Sequence, residues 1–411
     1  MKKINYFLIP ISFLFFQSVT GQTGFVNNGM NINIEQGAFV NVHDFTNTQT
    51  SGTDGKIDLD GTLIINGDLN NTSSGNVFIN IESVPDGDVI LDGANQNIQG
   101  STPFFFENLE IKNSTKTLNL SNCEVNGILT IDGVLDLNQH LIRINNDATG
   151  AISYLSGYIK SETLPGSLGE LEWKIGNGIG TYKVPFGSGM SSSDDLKIEM
   201  QTLTAASPAT GSVVFATYPT SGSLNIPLPT GVGSLDTFKT ENLADRYWEI
   251  RPDYTVKPEV SLSFQYTSDD VDQADNPGMI EENLKAIRYN DVLHKWNDIG
   301  LMGACNAADK TVTATDIAND NFYSWWALSE FNLRIPNAFT PDGDGINDYF
   351  LKGYKVKIVN RWGEQLSDGN DGWDGTVNGK KVSPGTYYYI ATIPGSGGDQ
   401  TVKGVIMVVS K

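Results

Sequence analysis

The sequence has little of what builds most metalloenzymes, hydrolases and small secreted scaffolds. Of its 411 residues only two are cysteine, Cys123 and Cys305, and three are histidine. Two cysteines cannot make a disulfide framework. They fall in differently patterned regions, so two small buried apolar side chains fit them better than a bridge. His43, His140 and His294 are scattered, with no HExxH or other metal-ligand spacing. There is no Gly-x-Ser-x-Gly elbow to present a serine nucleophile. Beyond the N-terminus no apolar run approaches the ~18 residues of a membrane-spanning helix, and no stretch keeps a helical period. Positive charge is scarce too: 27 Lys and Arg stand against 48 Asp and Glu, a net −21. Such a surface does not attract nucleic acid or anionic lipid, which leaves cations, neutral glycans and proteins as partners.

What is present begins with a leader. Lys2 and Lys3 precede an apolar run from Tyr6 to Phe16 broken by Pro10, and Val19-Thr20-Gly21 offers small residues before Gln22. Residues 1–21 are therefore expected to be a signal peptide, with export from the cytoplasm and no integral membrane segment once it is removed.

Residues 22–160 read as many short strands. Gly61-Thr62-Leu63-Ile64-Ile65, Val77-Phe78-Ile79-Asn80-Ile81, Val89-Ile90-Leu91, Gly127-Ile128-Leu129-Thr130-Ile131 and Leu141-Ile142-Arg143-Ile144 alternate apolar with polar or small residues. Period two marks a half-buried strand, and the Gly and Asn between supply turns. Short, similar strands with Asn recurring at their ends favour a parallel β-solenoid, in which stacked asparagines satisfy one another's amides. At about 20 residues per coil and about 4.8 Å between coils, roughly six or seven coils would give a rod of roughly 30 Å. From 161 the strands lengthen and carry aromatics, as in Leu171-Glu172-Trp173, Val213-Val214-Phe215, Arg246-Tyr247-Trp248 and Tyr323-Ser324-Trp325-Trp326. This texture predicts β-sandwich packing. The Pro- and Gly-rich Ile226 to Gly233 suggests a boundary, dividing it into units 161–236 and 237–330. The whole is expected to be all-β.

Residues 331–411 differ in charge: nine basic and eight acidic residues give +1, leaving −22 for residues 1–330. The order here is specific. Pro336, Asn337, Phe339, Pro341, Asp342, Gly343, Asp344, Gly345, Asn347 and Asp348 are followed by Asn360-Arg361-Trp362-Gly363. Trp373-Asp374-Gly375, then Gly385 and Tyr387, then Lys403 and Gly404 complete it. Together these resemble the gliding motility-associated C-terminal domain, the type B sorting domain of type IX secretion substrates. The resemblance implies a small immunoglobulin-like β-sandwich recognised by the type IX translocon of the outer membrane. It also implies pairing with barrel proteins of the PorP/SprF type and an outer-membrane-associated surface location; support of adhesion or gliding, with larger surface adhesins as further partners, is the functional expectation. The segment between Phe350 and Val356 is shorter than usual for that family. Independently of the name, Pro384-Gly385 presets a turn, and Trp362 and Trp373 are large enough to anchor a small core.

Chemistry is sparse. Asp342, Asp344 and Asp348 with two glycines between them offer hard oxygen ligands suited to Ca²⁺. The same residues also make an Asx-held turn, and the spacing is no EF-hand. The acidic run Asp269 to Asp275 reads as a cation site or a solvated loop. Asp132, Asp136, His140 and Arg143 are the nearest thing to a glycoside-cleaving set on a solenoid face, though outward Asp is ordinary on a solvated strand. Gly176-Asn177-Gly178-Ile179-Gly180 runs into a strand, so it is no phosphate loop. Tyr323, Trp325 and Trp326 could stack on a sugar, with one adjacent tryptophan facing the core. No catalytic residue is assigned. The expectation is a non-enzymatic surface protein, with a polysaccharide-degrading enzyme or a glycan-binding module as alternatives.

Overall fold

The computed structural model describes residues 24–79, 87–119, 122–164, 167–221, 224–235, 238–296, 302–330, 335–345, 347–393 and 400–409. The expected leader, residues 80–81 of one predicted strand and Ile346 lie outside them. Among the described residues there is no α-helix, only five single 3₁₀ turns between strands.

The N-terminal region is a three-faced parallel β-solenoid of about 6 turns. The first face stacks Phe25–Asn28, Phe45–Thr50, Leu69–Asn71 and Gln96–Gly100 in parallel, then continues through the ends of Asn108–Leu118 and Leu129–Asp136 to Tyr158–Lys160. The third face stacks Phe39–Val42, Thr62–Ile65, Asp88–Leu91 and the beginnings of those two long strands, ending at Ile152–Tyr154. Between them runs a second face, which includes Phe104–Phe106, Asn122–Val125, Leu141–Ile144 and Glu170–Trp173. Coil length is uneven: Leu141 lies opposite Asn122, 19 residues back, and opposite Glu170, 29 residues on. That unevenness hides the period in the sequence.

Three stacks hold the coils. Phe25, Phe45, Phe78 and Phe104 pile ring on ring inside, with centroids 5.6, 6.1 and 6.0 Å apart. Asn27, Asn47 and Asn71 occupy one register position on successive coils, each at most 1 % exposed. Asn47 Nδ2 donates to Gly55 O at 2.9 Å, to Ser73 Oγ at 3.0 Å and to Asn71 Oδ1 at 3.4 Å. A second asparagine ladder is exposed, with Asn138 donating to Asn119 at 2.7 Å and Asn119 to Asn97 at 2.9 Å. Close coil approach explains the glycines: a Cβ on Gly157 would sit 1.9 Å from Gly133 O.

The second face does not stop at the solenoid. Glu170–Trp173 pairs antiparallel with Ser212–Pro219, and the sheet goes on through Arg246–Asp253, Trp325–Glu330, Leu284–Asn290 and Lys295–Trp296. Facing it is a five-stranded antiparallel sheet of Gly180–Val184, Ile198–Thr202, Val260–Gln265, Thr311–Ile317 and Ala304–Asn306. Trp173 packs edge-on to Tyr182 at 5.1 Å, and Phe264 lies 5.5 Å from Trp248 and 5.6 Å from Trp326. One apolar core runs unbroken from Ile34 to Leu328.

This corrects the expected division at 236/237. Both sheets run across it: Ser212–Pro219 pairs with Arg246–Asp253 in one and Ile198–Thr202 with Val260–Gln265 in the other, so strands of 161–236 and 237–330 make one sandwich. The Pro- and Gly-rich stretch is a flap folded over the outer side of the nine-stranded sheet. There Val232 and Leu228 pack with Tyr218, Tyr247 and Trp325, and the hydroxyls of Tyr218 and Tyr247 donate to Pro227 O and Asn225 O, both at 3.1 Å.

The C-terminal region has its own sheet, in the order Ala338–Phe339, Gln400–Val408, Gly385–Ile393, Lys355–Val359, Gln365–Gly369, and a ribbon of Thr376–Val377 with Lys380–Lys381. Its core of Phe339, Phe350, Val356, Ile358, Trp373, Tyr389, Ala391, Ile406 and Val408 is separate from the main one.

Candidate functional site

Most of the C-terminal signature residues shape backbone. Asn337 O accepts from Met407 N at 2.8 Å, which seats the first strand beside the last. Phe339 is buried, and Pro341 lies beneath Gly375, whose φ of +72° is left-handed; a Cβ there would come within 2.6 Å of Pro341 Cγ. Asp374 Oδ1 accepts from Thr376 N at 2.9 Å and Thr376 Oγ1 at 2.8 Å, and Trp373 Nε1 donates to Thr376 O. Tyr387 stands edge-on to Trp373 at 5.3 Å and donates its hydroxyl to Ser383 O. Gly404 pairs with Tyr389, whose hydroxyl would be 2.4 Å from an added Cβ. Pro336 and Gly385 enter strands, the latter at φ +151°.

Asn360 does the opposite job of projecting side chains outward. Its Oδ1 accepts from Trp362 N and Glu364 N, both at 3.0 Å, and its Nδ2 donates to Glu364 Oε2, with Gly363 at φ +81°. The turn holds Trp362 80 % exposed with the Arg361 guanidinium 5.2 Å from its ring. Trp362 therefore does not anchor the core as its size suggested; only Trp373, 2 % exposed, does. The physical reason is local: a tight Asx-held turn places its central residues away from the sheet. On the outward side of the sheet next to this turn, Lys403, Val405, Met407 and Tyr388 are also exposed.

The acidic loop brings Asp342, Asp344 and Asp348 together, with one oxygen from each within 4.8 Å of the others. Such a set could hold one hard cation. The loop is also closed from within: both oxygens of Asp348 accept backbone amides, Gly343 N at 2.5 Å and Gly345 N at 2.7 Å, and Asp342 Oδ1 accepts Asp344 N. Asn347 O accepts from Thr340 N.

The other residues singled out in the sequence do not converge. Arg143 lies on the second face between Glu124 and Glu172, 2.7 Å from each. Asp136 is on the first face with Lys160 at 3.0 Å, and Asp132, where a long strand leaves the third face, accepts from Ser156 Oγ. Burial lowers the His140 pKa. In the acidic run Asp270 is 3 % exposed and pairs with the buried Arg246 at 3.0 Å while accepting Thr267 N, so its role is to hold the sandwich. The Gly176 to Gly180 loop closes on itself through Gly178 N to Ile175 O and Gly180 N to Thr202 Oγ1. Cys123 and Cys305 are free thiols, Cys123 buried. Trp326 is core, Trp325 belongs to the outer cluster, and Tyr323 carries Lys257 at 4.8 Å and Arg288 at 4.4 Å on its ring.

A polar cleft lies beside the flap, floored by Glu249, Arg251 and Trp325, of which the sequence singled out only Trp325. Alternation along Arg246–Asp253 puts Glu249 and Arg251 on one side, but the walls come from distant segments, and that no linear pattern can show.

No curated protein and no solved structure matches the chain. Residues 333–408 match the family model described as the CHU_C type IX secretion signal domain, and with the separately cored sheet at those residues this makes the chain a type IX secretion substrate, exported to the cell surface or beyond.

Proposed function

We propose that the protein is a non-enzymatic structural or interaction protein of the cell surface, retained at the outer membrane with a barrel protein of the PorP/SprF type and serving adhesion or gliding, alongside larger surface adhesins. The carrying observation is the division of labour between two cores. A rigid body, solenoid and sandwich sharing one core, is joined to an 81-residue segment, 331–411, with a core of its own. A compact unit can be gripped by export machinery while the body presents its surface outward. The ladders of the solenoid suit a stalk; Asp132 and Asp136 sit at different faces along one long strand and Arg143 on another, each with an ion-pair or hydrogen-bond partner of its own.

The test is to follow the protein in cell fractions with and without residues 331–411, and in cells lacking the outer-membrane translocon. Retention in the periplasm is expected in both cases. Normal arrival of the truncated chain outside the cell would overturn the reading. Loss of surface attachment without loss of export, on deleting a cognate barrel, is the expected signature of the retention partner.

A further inference from the structure

The cleft beside the flap has a volume of about 560 Å³. Glu249 and Arg251 rise from the central strand Arg246–Asp253, Ser324 and Trp325 come from the strand region beside it, and Glu170 comes from the strand that joins solenoid to sandwich. Asp291 adds a carboxylate from the turn after Leu284–Asn290.

Its chemistry narrows the ligand. Arg251 Nε donates to Glu249 Oε1 at 2.8 Å and its NH2 group to Glu170 Oε1 at 3.1 Å. Each carboxylate thus spends one oxygen on the guanidinium, and among the described residues the second oxygen of each has no hydrogen-bond partner. Glu249 is 5 % exposed, so its carboxylate is held in a fixed place at the floor. Asp291 makes no hydrogen bond or close ion pair among the described residues, and the charges of Lys257, His294 and Arg288 act on it from further off. Burial pushes the carboxyls of both Glu249 and Asp291 upward.

The lining itself sets three carboxylates against one guanidinium, which disfavours an anion there. A divalent cation is disfavoured because Arg251 already occupies the point where Glu170 and Glu249 meet. An apolar ligand would strand the polar lining. What remains is a neutral molecule carrying several hydroxyls, which can donate to the carboxylate oxygens and accept from Arg251, the Ser324 hydroxyl and the amide of Gln139, another lining residue. We propose that this cleft binds a neutral sugar unit, with Glu249, Asp291 and Glu170 as acceptors, Arg251 as the fixed donor and Trp325 as the apolar contact.

Sugar binding is independent of export and is measured on the purified chain, so the two readings fail separately. Maltose, cellobiose and N,N′-diacetylchitobiose are titrated by calorimetry and saturation-transfer NMR, with spermidine and citrate as charged controls. At least one disaccharide is expected to bind. Asp291→Asn, at an exposed position, should weaken that binding about tenfold with the melting temperature unchanged, as loss of a charged acceptor does. Glu249→Gln should weaken it further, and if that variant melts early, Asp291→Asn and Ser324→Ala decide in its place. Binding of none of the three sugars, binding of spermidine or citrate alone, or sugar binding indifferent to all these variants would overturn the proposal.

Discussion

At the scale of residues, the two tryptophans of the C-terminal domain separate structure from display. Trp373→Ala empties a core position and should cost about 3–5 kcal/mol in denaturant unfolding of the domain. Trp362→Ala, at an exposed turn, should change stability by no more than about 0.5 kcal/mol. The acidic loop is decided by hydrogen bonds: because Asp348 already accepts two backbone amides, adding a chelator should leave the melting temperature unchanged. A calcium-dependent rise of several degrees would instead assign the loop a resident ion. Asp245 gives a pH signature. Burial raises its carboxyl to about 6, with Asp275 and Asp270 adding to the rise and the amides of Asn276 and Asn225 opposing it. A carboxyl raised above its unfolded value of about 3.9 stabilises the fold fully below that pH, and the contribution is lost as pH rises through about 6. Stability from this group therefore falls between about pH 4 and 6. Unfolding free energies across that window should show the fall, and Asp245→Asn should flatten it.

At the scale of elements, the buried asparagine column is the sharpest feature. Asn47 sits between Asn27 and Asn71 and satisfies Gly55 O and Ser73 Oγ as well as its neighbour. Asn47→Leu would leave the Gly55 carbonyl unpaired in a coil interior, at a cost of about 1–3 kcal/mol. Because stacked coils depend on nearest neighbours, hydrogen exchange should accelerate in the strands Phe25–Asn28 and Leu69–Asn71 before it does in the sandwich. Uniform protection across the variant would show that the column is not what couples these coils. The flap over the nine-stranded sheet belongs to the same scale: its prolines and glycines make it look like a linker, yet its apolar residues close an outer cluster.

At the scale of the whole molecule, two cores imply two cooperative units. Calorimetry should resolve two transitions, and removing residues 331–411 should erase one while leaving the other within a degree or so. Coincident loss of both would mean that the body depends on the sorting domain for its fold. The solenoid and sandwich, in contrast, should melt together. Their second-face sheet and their core are continuous, so no boundary at 160/161 exists for unfolding to respect.

The sequence by itself determined the all-β class, the solenoid and the export domain, because each is written in local chemistry. Alternation at Leu63 and Ile65 fixes which side of a strand is buried, and recurring asparagines fix what stacks. The run from Pro336 to Asp348 fixes a loop without help from afar. Tertiary structure alone decided the rest. Which strands share a sheet depends on contacts between residues far apart in the chain, so the boundary expected at 236/237 was a flap, and Arg246 found Asp270 and Glu162 rather than solvent. Trp362 and Trp373 have the same side chain and opposite fates, set by an Asx turn in one case and a closed core in the other. The cleft of Glu170, Glu249 and Asp291 could not be read from the linear chain at all, because its carboxylates meet only when the last solenoid coil is laid against the sandwich.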